Sequence, residues 1–213
     1  MKEFLEIERS ERRKIFRKAF VASVPVLLGY VTMGFAAGVL MAVKGDVGAW
    51  APLWSGLCGF AFISGTLSFA IVPAMAGGYT FAAVALLALG INFRYAFYGI
   101  SFVGKWKNIP LLQKWFLVHS LADEIYALDV ACGIEDELKH RYYCLWNHAL
   151  NASYWFIGTT LGGIAGAALP IPSKGIEFAM VALFLVIFTD QMRGMWKSWR
   201  LKFCRLEHKD HKE

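Results

Sequence analysis

The 213-residue chain is 57% hydrophobic and only 18% charged, with a mean hydropathy of +0.47. Soluble domains carry about 25% charged residues, so this balance excludes an ordinary water-soluble domain and points to a bilayer. The net charge of +6 does not indicate a nucleic-acid partner. Seven Lys/Arg lie in residues 1–18, seven more lie between Arg193 and Lys212, and the middle is nearly charge-free. Basic ends flanking apolar spans are a topology signal.

The opening "MKEFLEIERSERRKIF" mixes apolar and charged residues, as an interfacial helix or a solvated terminus would. Residues 19–43 contain no Asp, Glu, Lys or Arg. They are too long for a signal-peptide core and lack a small-residue cleavage site, so they read as the first span. Residues 47–93 are equally free of charge. One helix of that length would run about 70 Å, more than twice a bilayer core. The chain must therefore turn back, and "AMAGGY" (Ala74 to Tyr79) is the natural breaker. This divides the run into span two, 52–76, and span three, 80–103.

"GKWKNIPLLQK" (Gly104 to Lys114) is a polar connection. Span four, 115–132, contains His119, Asp123, Glu124 and Asp129. "GIEDELKHR" is a second charged connection, and span five covers 142–169. "PIPSK" is a loop before span six, 176–194, the weakest, with only twelve charge-free residues at its centre. Residues 195–213 form a basic tail. The expected fold class is an all-α polytopic membrane bundle of about six spans, some broken at Gly or Pro. With both termini inside, the inner segments hold 16 Lys/Arg and the outer connections 5, with Arg94 the last of the 22. Both termini are therefore expected to be cytoplasmic.

Ionisable residues inside spans cost about 2.5–3.5 kcal/mol each on insertion scales, so they mark function or pairing. Arg94 interrupts span three beside Asn92, Tyr95, Tyr98 and Ser101. A buried Arg94 needs a carboxylate, and Asp123 or Glu124 in span four is the natural partner. His119 and Asp123 are four apart and would share a helix face, with Glu124 about 100° further around. Such a pair serves either as structural glue or as a substrate or proton site.

In "FISGTLSF", Ser64, Gly65, Thr66 and Ser68 could let span two break and free backbone groups for a ligand, or could pack helices closely. The glycines of "GTTLGGIAGAAL" (Gly158 to Leu169) read as helix packing. The four cysteines show no metal-ligand or disulfide spacing. There is no G-x-S-x-G elbow, phosphate loop or dinucleotide fingerprint. No enzyme, metal or cofactor is expected.

Four collinear segments carry a resemblance. "SVPVLLGYVTMGFAAG" (Ser23 to Gly38), "NFRYAFYGISF" (Asn92 to Phe102), "LADEIYAL" (Leu121 to Leu128) and "GIEFAMVALFLVIFTDQ" (Gly175 to Gln191) resemble, in order, segments of the AzlC family. That family forms the large subunit of bacterial branched-chain amino-acid exporters. The resemblance implies an inner-membrane permease exporting branched-chain or related hydrophobic amino acids, with a small hydrophobic AzlD-like membrane subunit as partner. The expected substrate and ion pathway, from the residues and the resemblance together, runs through Ser64, Gly65, Ser68, Asn92, Arg94, Tyr98, Ser101, His119, Asp123, Glu124 and Gln191. The alternative is a non-transporting scaffold or regulatory subunit derived from that family. The sequence departs from the family pattern at Ser68, in place of a Gln, at Tyr95, in place of a His, and at Ala122, in place of a Thr. His119 stands where an apolar residue is expected. After Asp190 the sequence turns charged, where the family commonly continues into further hydrophobic spans.

Overall fold

The computed structural model describes residues 7–169 except Asp46, Val47, Phe62, Val103, Lys105, Lys107 and Asn108, together with isolated positions between 178 and 193. The side chains of Met75 and Arg94 lie outside that description. Among the described residues the chain is helical, without strands. α1 spans Arg9–Gly45, and a 3-10 turn (Gly48–Trp50) leads into α2, Ala51–Ala61. α3 (Gly65–Ala76), α4 (Phe81–Phe102), α5 (Leu111–His119), α6 (Asp123–Ala131) and α7 (Glu137–Ala168) follow. These elements form one compact unit, Met1–Ile171. The sixth expected span and Gln191 belong to a separate unit, Pro172–Glu213, and fall outside the described residues save for single positions.

α1 and α7 are the long helices, at 37 and 32 residues. They lie against each other along a seam of small residues. Gly34 and Gly38 face Gly158, Thr159 and Gly163, and Gly162 faces Phe35 and Val39. A Cβ at Gly38 would collide with the Thr159 carbonyl, and one at Gly162 with the Phe35 carbonyl. Only glycine allows backbones this close, the small-residue packing that replaces hydrophobic drive inside lipid. Gly163 lets α2 join the same seam, because a Cβ there would press on Ala51 O and Ser55 at 2.9 Å. Pro25 lies inside α1 and Pro73 inside α3, and neither helix ends there.

Two expected spans are split. Span two becomes α2 and α3, interrupted after Ala61 and resumed at Gly65. Span four becomes α5 and α6, interrupted at Ser120–Ala122. The second break contains neither Gly nor Pro. It also corrects the expectation that His119 and Asp123 share a helix face: one ends α5 and the other begins α6. The turn in "AMAGGY" falls at Gly77–Gly78, where Gly78 takes a left-handed φ of 74° open only to glycine at low cost. At the amino end, α1 runs on from Arg9, so part of the basic segment is continuous with the first span.

Many large apolar side chains face outward, among them Phe81, Leu86, Leu89, Phe93 and Ile100 along α4. Exposed apolar area on this scale marks a surface for lipid or protein. Among the described residues α1 alone is long and apolar enough to cross a membrane. α4 joins it if the two halves that meet at Arg94, bent by 47°, count as one span. A buried cluster at the other end joins Ile15 and Ala19 of α1, Phe102 of α4, Leu117 of α5, and Tyr143 and Cys144 of α7.

Candidate functional site

The two helix breaks meet. His119 Nε2–H, at the end of α5, donates to the carbonyl of Phe60 in the last turn of α2 at 3.0 Å. The His119 ring stacks on Trp115, with centroids 4.9 Å apart and planes 4° apart, which fixes its direction. A carbonyl near a helix end has lost its usual i+4 donor, so it needs a partner. Here that partner comes from the other broken helix.

On the far side of the first break Ser64 does three things. Its Oγ accepts from the Leu67 amide at 3.4 Å, its carbonyl accepts from the Ser68 amide at 3.0 Å, and its hydroxyl lies 3.2 Å from Tyr95 Oη on α4. Thus Ser64 caps α3 and ties it to the arginine-bearing helix. Gly65 leaves room for Met33 of α1 and Trp155 of α7, which a Cβ would meet at 3.2 and 3.4 Å. Ser68 is buried, and among the described residues its Oγ has no hydrogen-bond partner.

The second break starts α6 with two carboxylates, Asp123 and Glu124. A helix N-terminus favours negative charge, so both acids sit where the backbone dipole supports them. Glu124 is exposed and accepts from Tyr30 Oη of α1 at 3.1 Å. Tyr30 is buried and edge-on to Trp155. Asp123 is half-buried beside it. Around the breaks, Ser64 and Tyr95 thus join α3 to α4, and Glu124, Tyr30 and Trp155 join α6, α1 and α7. The side chain of Arg94, expected to pair with one of these acids, lies outside the described residues.

The remaining expected residues divide. Asn92 of α4 has a buried Oδ1 with no partner among the described residues. Tyr98 stacks on Tyr126 of α6 at 4.5 Å, and Tyr126 Oη donates to Ser101 Oγ at 3.3 Å. Tyr98 and Ser101 thus attach the end of α4 to α6, away from the first break. Beside α3 lies a cavity of about 730 Å³, mostly apolar, with Met41, Cys58, Ile71, Val72 and Phe81 in its walls and Ser68 among its few polar groups. Lys44, in the last turn of α1, also lines it.

Sequence reasoning passed over one cluster. Asp129, His148, Asn147, Asn151 and Ser120 are all fully buried between α5, α6 and α7. The signal was present in "WNHALN", where Asn147, His148 and Asn151 stand among apolar neighbours. Asp129 could have been matched to them.

Broken helices whose ends meet inside a bundle, lined by a few polar groups, define a class. Irregular backbone at membrane depth persists only where protein buries it or a cavity needs it, and membrane transport proteins use it to hold ligands. The chain belongs to the AzlC protein family, whose model matches residues 25–169. It is 27% identical to the "Branched-chain amino acid transport protein AzlC" of Bacillus subtilis over 184 residues, 86% of this chain and 70% of that one. It is 31% identical to an "Uncharacterized membrane protein" of Haemophilus influenzae over 174 residues, covering 82% and 70%. A Helicobacter pylori membrane protein is 28% identical over 84% of this chain. No solved structure matches. The chain is a membrane protein of a transport family.

Proposed function

We propose that the chain exports branched-chain or related hydrophobic amino acids as the large subunit of a two-component permease. The observation that carries this reading is the meeting of the two helix breaks through His119 and Phe60, with an apolar cavity along α3 that Ser68 lines. An amino acid presents an ammonium, a carboxylate and an apolar side chain. The acids at the start of α6 suit the ammonium. The opened N-terminus of α3, with Arg94 on the adjoining helix, suits the carboxylate. The cavity walls suit a branched hydrocarbon and offer little to a polar side chain. The Bacillus subtilis relative carries the name of a branched-chain amino-acid transport protein, which agrees in chemistry.

The test is export from cells expressing this chain with and without a small hydrophobic partner subunit. Intracellular leucine, isoleucine, valine or methionine falls when the chain and partner are active. Arg94→Ala abolishes the effect, and Arg94→Lys keeps a fraction at best, because lysine cannot hold a carboxylate at two points. Unchanged pools under every pairing would leave the scaffold alternative standing.

A further inference from the structure

Behind the second break three buried side chains form a continuous hydrogen-bonded chain. Ser120 Oγ lies 2.6 Å from the Phe116 carbonyl and 2.7 Å from His148 Nδ1. His148 Nε2 lies 2.9 Å from Asp129 Oδ2. Asn147 donates to the other carboxylate oxygen at 2.8 Å and is itself positioned by Asn151. All five residues are fully buried.

The protons can be counted. A carbonyl only accepts, so in one arrangement the Ser120 hydroxyl hydrogen points at Phe116 O and Nδ1 donates to Ser120 Oγ. With Nδ1 already protonated, the short contact between Nε2 and Oδ2 needs a hydrogen of its own, on one atom or the other. In this arrangement the pair holds one proton more than a neutral imidazole beside a carboxylate. That proton also removes the uncompensated charge that burial would penalise.

The same atoms admit a second arrangement. When one proton leaves to water, the imidazole keeps a single hydrogen on Nε2, donated to the Asp129 carboxylate. Nδ1 becomes an acceptor, and the Ser120 hydroxyl turns from Phe116 O to donate to it. No bond other than O–H and N–H changes, and the site gains one negative charge. Ser120 lies in the break between α5 and α6, next to His119, which holds the other break. Proton occupancy therefore changes a hydrogen bond at the joint of a split helix.

We propose that Ser120, His148 and Asp129 form a proton-carrying site that couples transport to a proton gradient, an inference that rests on the transport reading above. Other groups crowd it. From α7, His140 donates to the Asp129 main-chain carbonyl at 3.2 Å, and Cys144 lies 3.5 Å from His140. Tyr143 is within electrostatic reach of Asp129, Cys132 and Cys144. From the connection after α4 and from α5, the rings of Trp106 and Phe116 pack against His148. His140 is the one further imidazole in contact with this set among the described residues, so it needs its own control. A Ser–His–Asp chain can also serve acyl transfer, but here Ser120 is fully buried, out of reach of an acyl substrate.

Two measurements test this on the full chain, purified with any subunit that accompanies it. The first is an infrared titration between about pH 5 and about pH 8, the range in which histidine sites exchange protons. Wild type and the His140→Gln control show a pH-dependent carboxyl or imidazole band that Asp129→Asn removes or shifts. A spectrum unchanged by Asp129→Asn overturns the site. The second is leucine movement in proteoliposomes. Asp129→Asn keeps leucine exchange within about two-fold while transport driven by a pH gradient falls about ten-fold or more, the separation expected of a proton relay. Gradient-driven transport unchanged by Asp129→Asn overturns the coupling role. If Asp129→Asn loses both modes, Ser120→Ala decides by the same split. Loss of both modes there as well marks the chain as structural and also overturns the proposal. Wild type inert in both modes defeats the transport reading, and the infrared titration still judges the proton site.

Discussion

α1 and α7 run unbroken for 37 and 32 residues, while α2/α3 and α5/α6 divide two spans into four pieces of 9 to 12 residues. The first pair is held by backbone against backbone, with glycines where any side chain would collide. The second is held by side chains reaching carbonyls and hydroxyls across gaps in the helices. A seam of the first kind has one arrangement and resists change, since close-packed interfaces do not deform continuously. Hydrogen bonds of the second kind can be exchanged one at a time at a cost of about 1 kcal/mol each. Rigidity and adjustability are thus assigned to different helix pairs within one unit.

The largest way to break this contrast is a side chain in the seam. Gly162→Val should prevent accumulation of folded protein, because the nearest obstacle is the Phe35 main chain, which cannot move aside as a side chain would. Overpacking costs about 1–3 kcal/mol even where side chains can yield, so the cost here is higher. Detergent-solubilised yield and thermal unfolding are the readouts, and a well-folded variant would remove the rigid half of the comparison.

A smaller effect belongs to the joint between the breaks. His119→Ala should leave the protein folded, with stability lowered by about 1 kcal/mol from one lost hydrogen bond, yet reduce amino-acid export several-fold. His119→Gln, which keeps an N–H donor, should recover part of it. Equal export by His119→Ala and wild type would show that the two breaks act separately.

The smallest effect lies at the water-facing end of the seam. Lys14 donates to Glu11 at 2.9 Å, and Lys139 of α7 lies 3.6 Å from the same carboxylate. Mainly the Lys14 hydrogen bond and charge hold the Glu11 carboxyl below its ordinary range. A depressed carboxylate stabilises above its unfolded value, and the contribution vanishes as pH falls through the folded one. The small Glu11 contribution should therefore be fully present and independent of pH near neutrality, and should be lost in acid as pH falls from the ordinary carboxylate range through the lowered folded value. Both groups are exposed, so Glu11→Gln should barely move the unfolding temperature at pH 7.

The helical bundle and the glycine seam were legible in the residues. "GTTLGGIAGAAL" reads as packing from its spacing, and "AMAGGY" as a turn from its glycines. The break before Gly65 was one of two readings the residues left open, since serine and glycine together weaken a helix and supply a cap but also suit close packing. The break at Ser120–Ala122 was not, because nothing in Ser-Leu-Ala opposes helix. Long-range bonds support it there: Asn147 of α7 donates to Ile125 O at 3.3 Å, and Ser120 bonds to His148. Assuming an intact span placed His119 beside Asp123, and the interruption separates them. His119 departs from the family pattern, and it is the residue that ties the two breaks. His148 escaped notice for a related reason: a polar residue in a span acquires meaning only from a partner, and Asp129 lies 19 positions away.

The polarity of α7 also bears on how the protein is made. α1 is apolar enough to enter a bilayer by itself. α7, carrying Asn147, His148 and Asn151, would present those groups to hydrocarbon unless Asp129 and Ser120 were already in place. Synthesis delivers α1 first and α7 about a hundred residues later. During that interval Gly34 and Gly38 form an open groove with no occupant from α7. The last described helix must then enter as a guest of the earlier ones, so loss of the whole buried polar chain, unlike an isosteric change such as Asp129→Asn, should show first as failed insertion of α7 during biogenesis.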